Sequence, residues 1–155
     1  MSDAPRMRHR PDWWLALFQA VYLLPIVRLR LALGGYQRTV RALTSRTDGQ
    51  PEQASDAVPA DVLAVASAVT LVARLVPARG LCLARSLTIW RLCRQRGYAT
   101  DVVIGVAPPD GKRLEGHAWV EYRSVVLNDT SDVRTRYPVV YPADEFNRER
   151  STEDC

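Results

Sequence analysis

The chain has 155 residues, 47% of them hydrophobic and 25% charged, which is enough to bury one modest core and too ordinary a mixture for a disordered chain or a coiled coil. Its formal net charge of +4 is unevenly spread, because residues 1–46 hold eight Arg against Asp3 and Asp12, a local +6 that leaves −2 for the remainder. Such a segment can attract nucleic acid, an anionic membrane or an acidic peptide, but no aromatic and basic residues interleave as a base-stacking platform requires, so nucleic acid is not expected.

Residues 12–24 and 26–45 read as two helices broken at Pro25, with Gly34-Gly35 as a second weak point. The apolar run from Trp13 to Leu24 follows Arg6, Arg8 and Arg10, as a signal peptide or anchor would. Gln19 interrupts it, Pro25 ends it, and it falls short of the roughly 20 apolar residues of a spanning helix. It is expected to pack against the core or a partner, and membrane contact is not expected. Trp13, Trp14, Phe18 and Tyr22 are candidates for an exposed docking face.

Residues 1–46 thus form a helical amino-terminal extension and a partner-docking candidate, 47–59 a polar linker, and 60–155 the remaining domain. Asp61 to Val76 reads as a mostly buried helix, with Asp61 at its positive end and Pro77 just beyond it. Leu81 to Arg96 reads as another, closed by Gly97. Beyond it the pattern turns to strand: Tyr98 to Val106, a Pro108-Pro109-Asp110-Gly111 turn, then His117 to Tyr122 and Val125 to Asp129, three strands of a small antiparallel sheet. The fold class is α+β.

Three cysteines without paired spacing do not indicate a disulfide framework and suit a reducing cytoplasm. On one helix, Cys82 and Cys93 would stand about 16 Å apart along the axis, too far to bridge. Cys93 reads as a small buried apolar residue, and Cys155 is the last residue. Cys82 is different, because it falls in the first turn of its helix. There the unpaired amides and the positive dipole end favour a thiolate and can hold an oxyanion.

A cysteine nucleophile needs a base to take its proton and a group to orient that base. Cys82, His117 and Asp129 supply these in order, and His9, in the polar amino terminus, is no competing base. Singly, a Cys is usually a core residue, a strand His a hydrogen-bonded one and a strand-end Asp a surface charge; together they support one another. Closely spaced ligand pairs such as Cys-x-x-Cys are missing, so no metal is expected. Gly34-Gly35 has no following Lys-Ser or Lys-Thr, so no phosphate loop is expected and no cofactor is implied.

Strand parity constrains the site. A two-residue Arg123-Ser124 turn would pair Tyr122 with Val125 and leave His117 on the face opposite Asp129. A three-residue loop, Tyr122 to Ser124, would pair Glu121 with Val125 and set His117 opposite Asp129. The second register is expected, with Ser124 left-handed. Trp119 and Glu121 then share the His117 face. Trp119 is a candidate for walling the site or binding substrate, as are Leu81 and Arg85 beside Cys82.

The stretches Cys82-Leu83-Ala84-Arg85-Ser86, Ile104-Gly105-Val106, His117-Ala118-Trp119-Val120-Glu121 and Asn128-Asp129, with the Gly97-Tyr98 break, resemble the transglutaminase-like cysteine proteases of lasso-peptide biosynthesis in their stand-alone form. The resemblance is close over about residues 60–140. It implies a transglutaminase-like, papain-like core and a bacterial cytoplasmic peptidase that removes the leader from a ribosomally made precursor. It also implies a small leader-recognition protein as partner and a separate ATP-dependent cyclase acting next. Cys82 would be the nucleophile, His117 the general base and acid, and Asp129 the orienting carboxylate. Where such proteins commonly carry Gly before the third strand, this chain has Ser124. The same parts would also serve acyl transfer to an amine, as in transglutaminases, or persist in a catalytically silent peptide-binding module.

Overall fold

In a computed structural model of the chain, the described residues are 13–44, 57–76, 80–107 and 115–142. Three helices come first: α1 (Trp13–Thr44), α2 (Ala60–Leu75) and α3 (Leu81–Gln95). Strands β1 (Asp101–Ala107), β2 (Glu115–Tyr122) and β3 (Val125–Val126) follow, then a short helix α4 (Val133–Arg136) and strand β4 (Val139–Pro142). The sheet is antiparallel throughout, in the order β3-β2-β1-β4.

Strand alternation divides the core into two layers. Val102, Val120 and Tyr122 face the helices and pack with Ala66 and Val69 of α2, Leu87 and Ile89 of α3 and Leu24 and Val27 of α1. Val103 and Trp119 point to the opposite face, where Val133, Val126 and Tyr137 cover them. The first layer holds most of the apolar mass, each buried Leu or Val contributing on the order of 2 kcal/mol.

α1 departs from the expected break at Pro25. The helix runs through that residue and is interrupted instead at Gly35, where φ is 69° and ψ −179°. Pro25 removes one hydrogen bond, to the Val21 carbonyl, but it sits on the exposed side while Ala20, Leu24 and Val27 lock the buried side into the core. Packing outweighs the lost bond. Thr39 then restarts the ladder by donating from Oγ1 to the Gly35 carbonyl at 2.8 Å. The Trp13–Thr44 stretch, kinked at Gly35, is long and apolar enough, by length and composition, to cross a membrane, which the run ending at Pro25 is not.

Polar ties fix α1 to α3. Arg96 Nη2 donates to Gln19 Oε1 at 2.6 Å, and the buried Arg91 donates to the Leu43 carbonyl at 2.9 Å. Gln19, the residue that interrupts the apolar run, therefore faces inward. Tyr98 in turn donates its hydroxyl to Asp61 on α2 at 3.0 Å.

α2 and α3 lie where their sequence signals put them, and Gly97 closes α3 with φ 86°. The sheet has a fourth strand, β4, flanked by Pro138 and closed by Pro142, residues that mask a strand signal. The segments 47–56 and 108–111, Pro77, His9 and Cys155 lie outside the described residues.

Candidate active site

Gly80 adopts a left-handed conformation, φ 74°, and turns the chain into α3, so that Cys82 falls in the first turn. Among the described residues no side chain caps this helix start. Its first amides therefore keep donors free for a ligand. Cys82 is half-buried and free; Cys93, fully buried, is also free, and burial pushes its thiol up to about 12 against a downward pull from Arg96. Of the two, only Cys82 is accessible for chemistry.

One turn further along the same face of α3, Ser86 Oγ donates to the Ala118 carbonyl at 3.0 Å and accepts from Asn128 Nδ2 at 3.1 Å. This bond holds the Cys82 end of α3 against the residue next to His117. Tyr137 supplies a second link, since its ring stacks on the His117 imidazole at 4.8 Å. The Tyr137 hydroxyl is pushed up chiefly by burial and by the charge of Glu115, against Arg136, with Asp129 and Cys82 adding further upward pushes.

The β2–β3 connection overturns the expected register. Arg123 and Ser124 both have positive φ, 48° and 68°, forming a two-residue turn that pairs Tyr122 with Val125 and Glu121 with Val126. Continued regularly, that register would have kept His117 from Asp129. It is not continued. Leu127 still donates its amide to the Val120 carbonyl at 2.9 Å, but the Val120 amide goes to Asn128 Oδ1 at 2.8 Å, where a regular ladder would use a backbone carbonyl. The Asn128 side chain ends the strand and the chain bends away, freeing Asp129 from strand parity.

Asp129 consequently meets His117: Nε2 stands 2.6 Å from Oδ2. The other carboxylate oxygen, Oδ1, accepts from the Thr130 amide at 2.8 Å and from Arg136 Nη2 at 2.7 Å, and Arg85 Nη2 lies 3.8 Å from Oδ2. Burial raises the Asp129 pKa, but the hydrogen bonds from His117, the Thr130 amide and Arg136, with the His117 charge, outweigh it and bring the group down to about 2. An ionised Asp129 accepts a hydrogen bond from Nε2–H, which leaves Nδ1 as the nitrogen free to act on another group.

Aromatic rings hold that imidazole in place. Trp119 stacks against it at 6.3 Å between centroids, parallel to within 25°. Trp119 is 0% exposed, and its Nε1 donates to Glu121 Oε1 at 2.7 Å. The indole thus braces His117 from inside; of the two roles expected for it, walling the site or binding substrate, its burial leaves no surface for the second. Glu121, also buried, is paired by Arg134 through both oxygens, at 2.9 and 2.5 Å. Gly105 faces His117 across β1 and β2, and a Cβ there would come within 2.7 Å of both the Trp119 ring and Tyr137.

Leu81, half-buried, precedes Cys82 on the helix. Arg85 turns toward Asp129 and lines a cleft of about 930 Å³ between the outer side of α2 and residues 127–130, together with Leu63, Leu71, Leu127 and Asp129. Its Nε is buried without a hydrogen-bond partner among the described residues. No group of three or more His, Cys, Asp or Glu side chains among the described residues is placed to hold a metal ion.

Ser86, Asn128, Arg136 and Tyr137 complete the site, and sequence reasoning gave none of them a role. Ser86 has a recognisable signal, standing four residues after Cys82 on one helix face. Arg136 and Tyr137 have none, because they reach the site through the fold of α4.

No curated protein and no solved structure matches the chain. Residues 20–141 match the transglutaminase-like superfamily, a span that takes in α1 from Ala20 onward, the Cys82 helix, the sheet up to Tyr141 and the His117–Asp129 pair. Most of the chain lies within that match, and the chain belongs to the transglutaminase-like superfamily.

Proposed function

We propose that this protein is a cysteine peptidase that removes the leader from a ribosomally made lasso-peptide precursor, working with a separate leader-recognition protein and ahead of an ATP-dependent cyclase. Members of the superfamily are typically cysteine proteases or acyltransferases, which supports the general chemistry. The observation that carries the reading is the 2.6 Å contact between His117 Nε2 and Asp129, with Cys82 in the first turn of a helix that Ser86 ties to the residue next to His117. The narrower substrate rests on the resemblance of Cys82 to Ser86, His117 to Glu121 and Asn128-Asp129 to the lasso-peptide enzymes.

His117 Nδ1 takes the Cys82 proton and the thiolate sulfur attacks the scissile carbonyl carbon. Amides at the α3 start stabilise the resulting oxyanion. As the tetrahedral intermediate collapses, the C–N bond breaks and the imidazolium gives its proton to the leaving amine. Water, deprotonated by His117, then attacks the thioester, releasing the carboxylic acid and restoring the thiol. Asp129 stays ionised throughout and orients the imidazole.

Mass spectrometry of the precursor peptide incubated with the protein and the leader-recognition partner, beside a Cys82→Ala control, tests this reading. The expected result is one cut, with fragment masses that sum to the precursor plus one water, and no cut in the control. Fragments carrying an added amine would assign an acyltransferase, and an intact but bound peptide would assign a binding module.

A further inference from the structure

α1 leaves a large apolar surface uncovered. Trp14, Phe18, Val21, Tyr22, Leu29 and Leu33 are all exposed, Phe18 at 73%, Tyr22 at 75% and Leu33 at 79%. At ~100° per residue these six fall within an arc of about 120°, running roughly 28 Å along the helix. Ala16, Ala20, Leu24 and Val27 occupy the opposite side and are buried in the core. Arg28 and Arg30, both exposed, flank the arc, Arg28 about 20° beyond one edge and Arg30 about 60° beyond the other. From Trp13 to Thr44 there is no acidic residue, the charges being Arg28, Arg30, Arg38 and Arg41.

We propose that this face of α1 lies in the plane of an anionic membrane surface, its aromatic and aliphatic side chains entering the headgroup boundary and its arginines meeting lipid phosphates. The face is one convex helix, which suits a flat, fluid surface. Trp and Tyr are side chains that settle at that depth, and Arg stems can lie along apolar surface with the guanidinium raised to the headgroups. A second copy fits less well, because pairing two α1 faces would bring their arginines together with no carboxylate on either helix to neutralise them. Spanning is ruled out in this fold, since the other side of α1 holds the core and the Gln19–Arg96 tie. The inference does not depend on the peptidase reading.

Co-sedimentation of the full chain with vesicles of phosphatidylcholine mixed with phosphatidylglycerol, and with phosphatidylcholine alone, tests it. Binding is expected to the anionic vesicles and to weaken as salt is raised. Phe18→Glu with Leu29→Glu is expected to abolish it, and Arg28→Gln with Arg30→Gln to weaken it by roughly 30-fold. Phe18 and Leu29 are exposed, so far-UV circular dichroism and the melting temperature are expected to match the parent. The proposal is overturned if the parent binds neither vesicle or if binding survives the glutamates. It is equally overturned if the parent ignores vesicles and the glutamates instead dissociate a protein complex.

Discussion

The two ends of this fold are held by different physics. Around His117 the contacts are polar and directional: Ser86, Asn128, the Val120 amide, Asp129, Thr130 and Arg136 exchange hydrogen bonds of 2.7 to 3.1 Å. Along α1 the contacts are apolar and distributed, with Ala16, Ala20, Leu24 and Val27 buried at every turn and Gln19 and Leu43 as isolated polar ties. Directional bonds set where an atom sits; distributed burial sets how stable the whole is. A broken bond at the site should therefore cost activity before stability, and a cavity under α1 should do the reverse.

The largest effect is expected from Asp129→Asn. An amide at this position can take the wrong orientation toward Nε2 and leave His117 in the unproductive tautomer, so kcat against the precursor should fall on the order of a thousand-fold. Urea unfolding at neutral pH should move far less. A stability loss large enough by itself to account for the fall in kcat would make Asp129 part of the scaffold.

Leu24→Ala comes next and points the other way. Leu24 is fully buried between α1 and the helical layer, and truncation should lower unfolding free energy by about 3 kcal/mol with kcat of the remaining folded protein unchanged. Denaturant titration beside an active-site assay checks both halves.

Asn128→Ala tests the junction between the two regimes. It strands the buried Val120 amide and takes a donor from Ser86, at a cost of about 2 kcal/mol. It should also let β3 extend and Asp129 swing away, so kcat should drop by more than the stability loss explains. Hydrogen exchange of the Val120 amide would report the opening directly.

The smallest effect is in acid. Asp129 has a folded pKa of about 2 against an ordinary 3.8. Its ionised form thus stabilises the fold above 3.8, and that contribution fades as pH falls through the window toward 2. Asp129→Asn lacks the contribution from the start, so its stability should decline less steeply across that window than the parent's.

The sequence alone carried the features that depend on near neighbours. α2 and α3 followed from apolar runs with Asp61 and Gly97 at their ends, β1 from a β-branched run, and the choice of Cys82, His117 and Asp129 as candidates from the residue types in order. Tertiary structure decided whatever depends on distant partners. Helix continuity through Pro25 required the core beneath Ala20 and Leu24. The meeting of His117 with Asp129 required the Asn128 side chain to take a backbone amide, which strand parity cannot anticipate because parity holds only while the ladder is paired. The inward position of Trp119 required Gly105 on a neighbouring strand to leave room for its ring, a contact between residues 14 apart that no local pattern encodes. Propensity and periodicity are properties of a segment, whereas the final position of a side chain is set by whatever the rest of the chain packs against it.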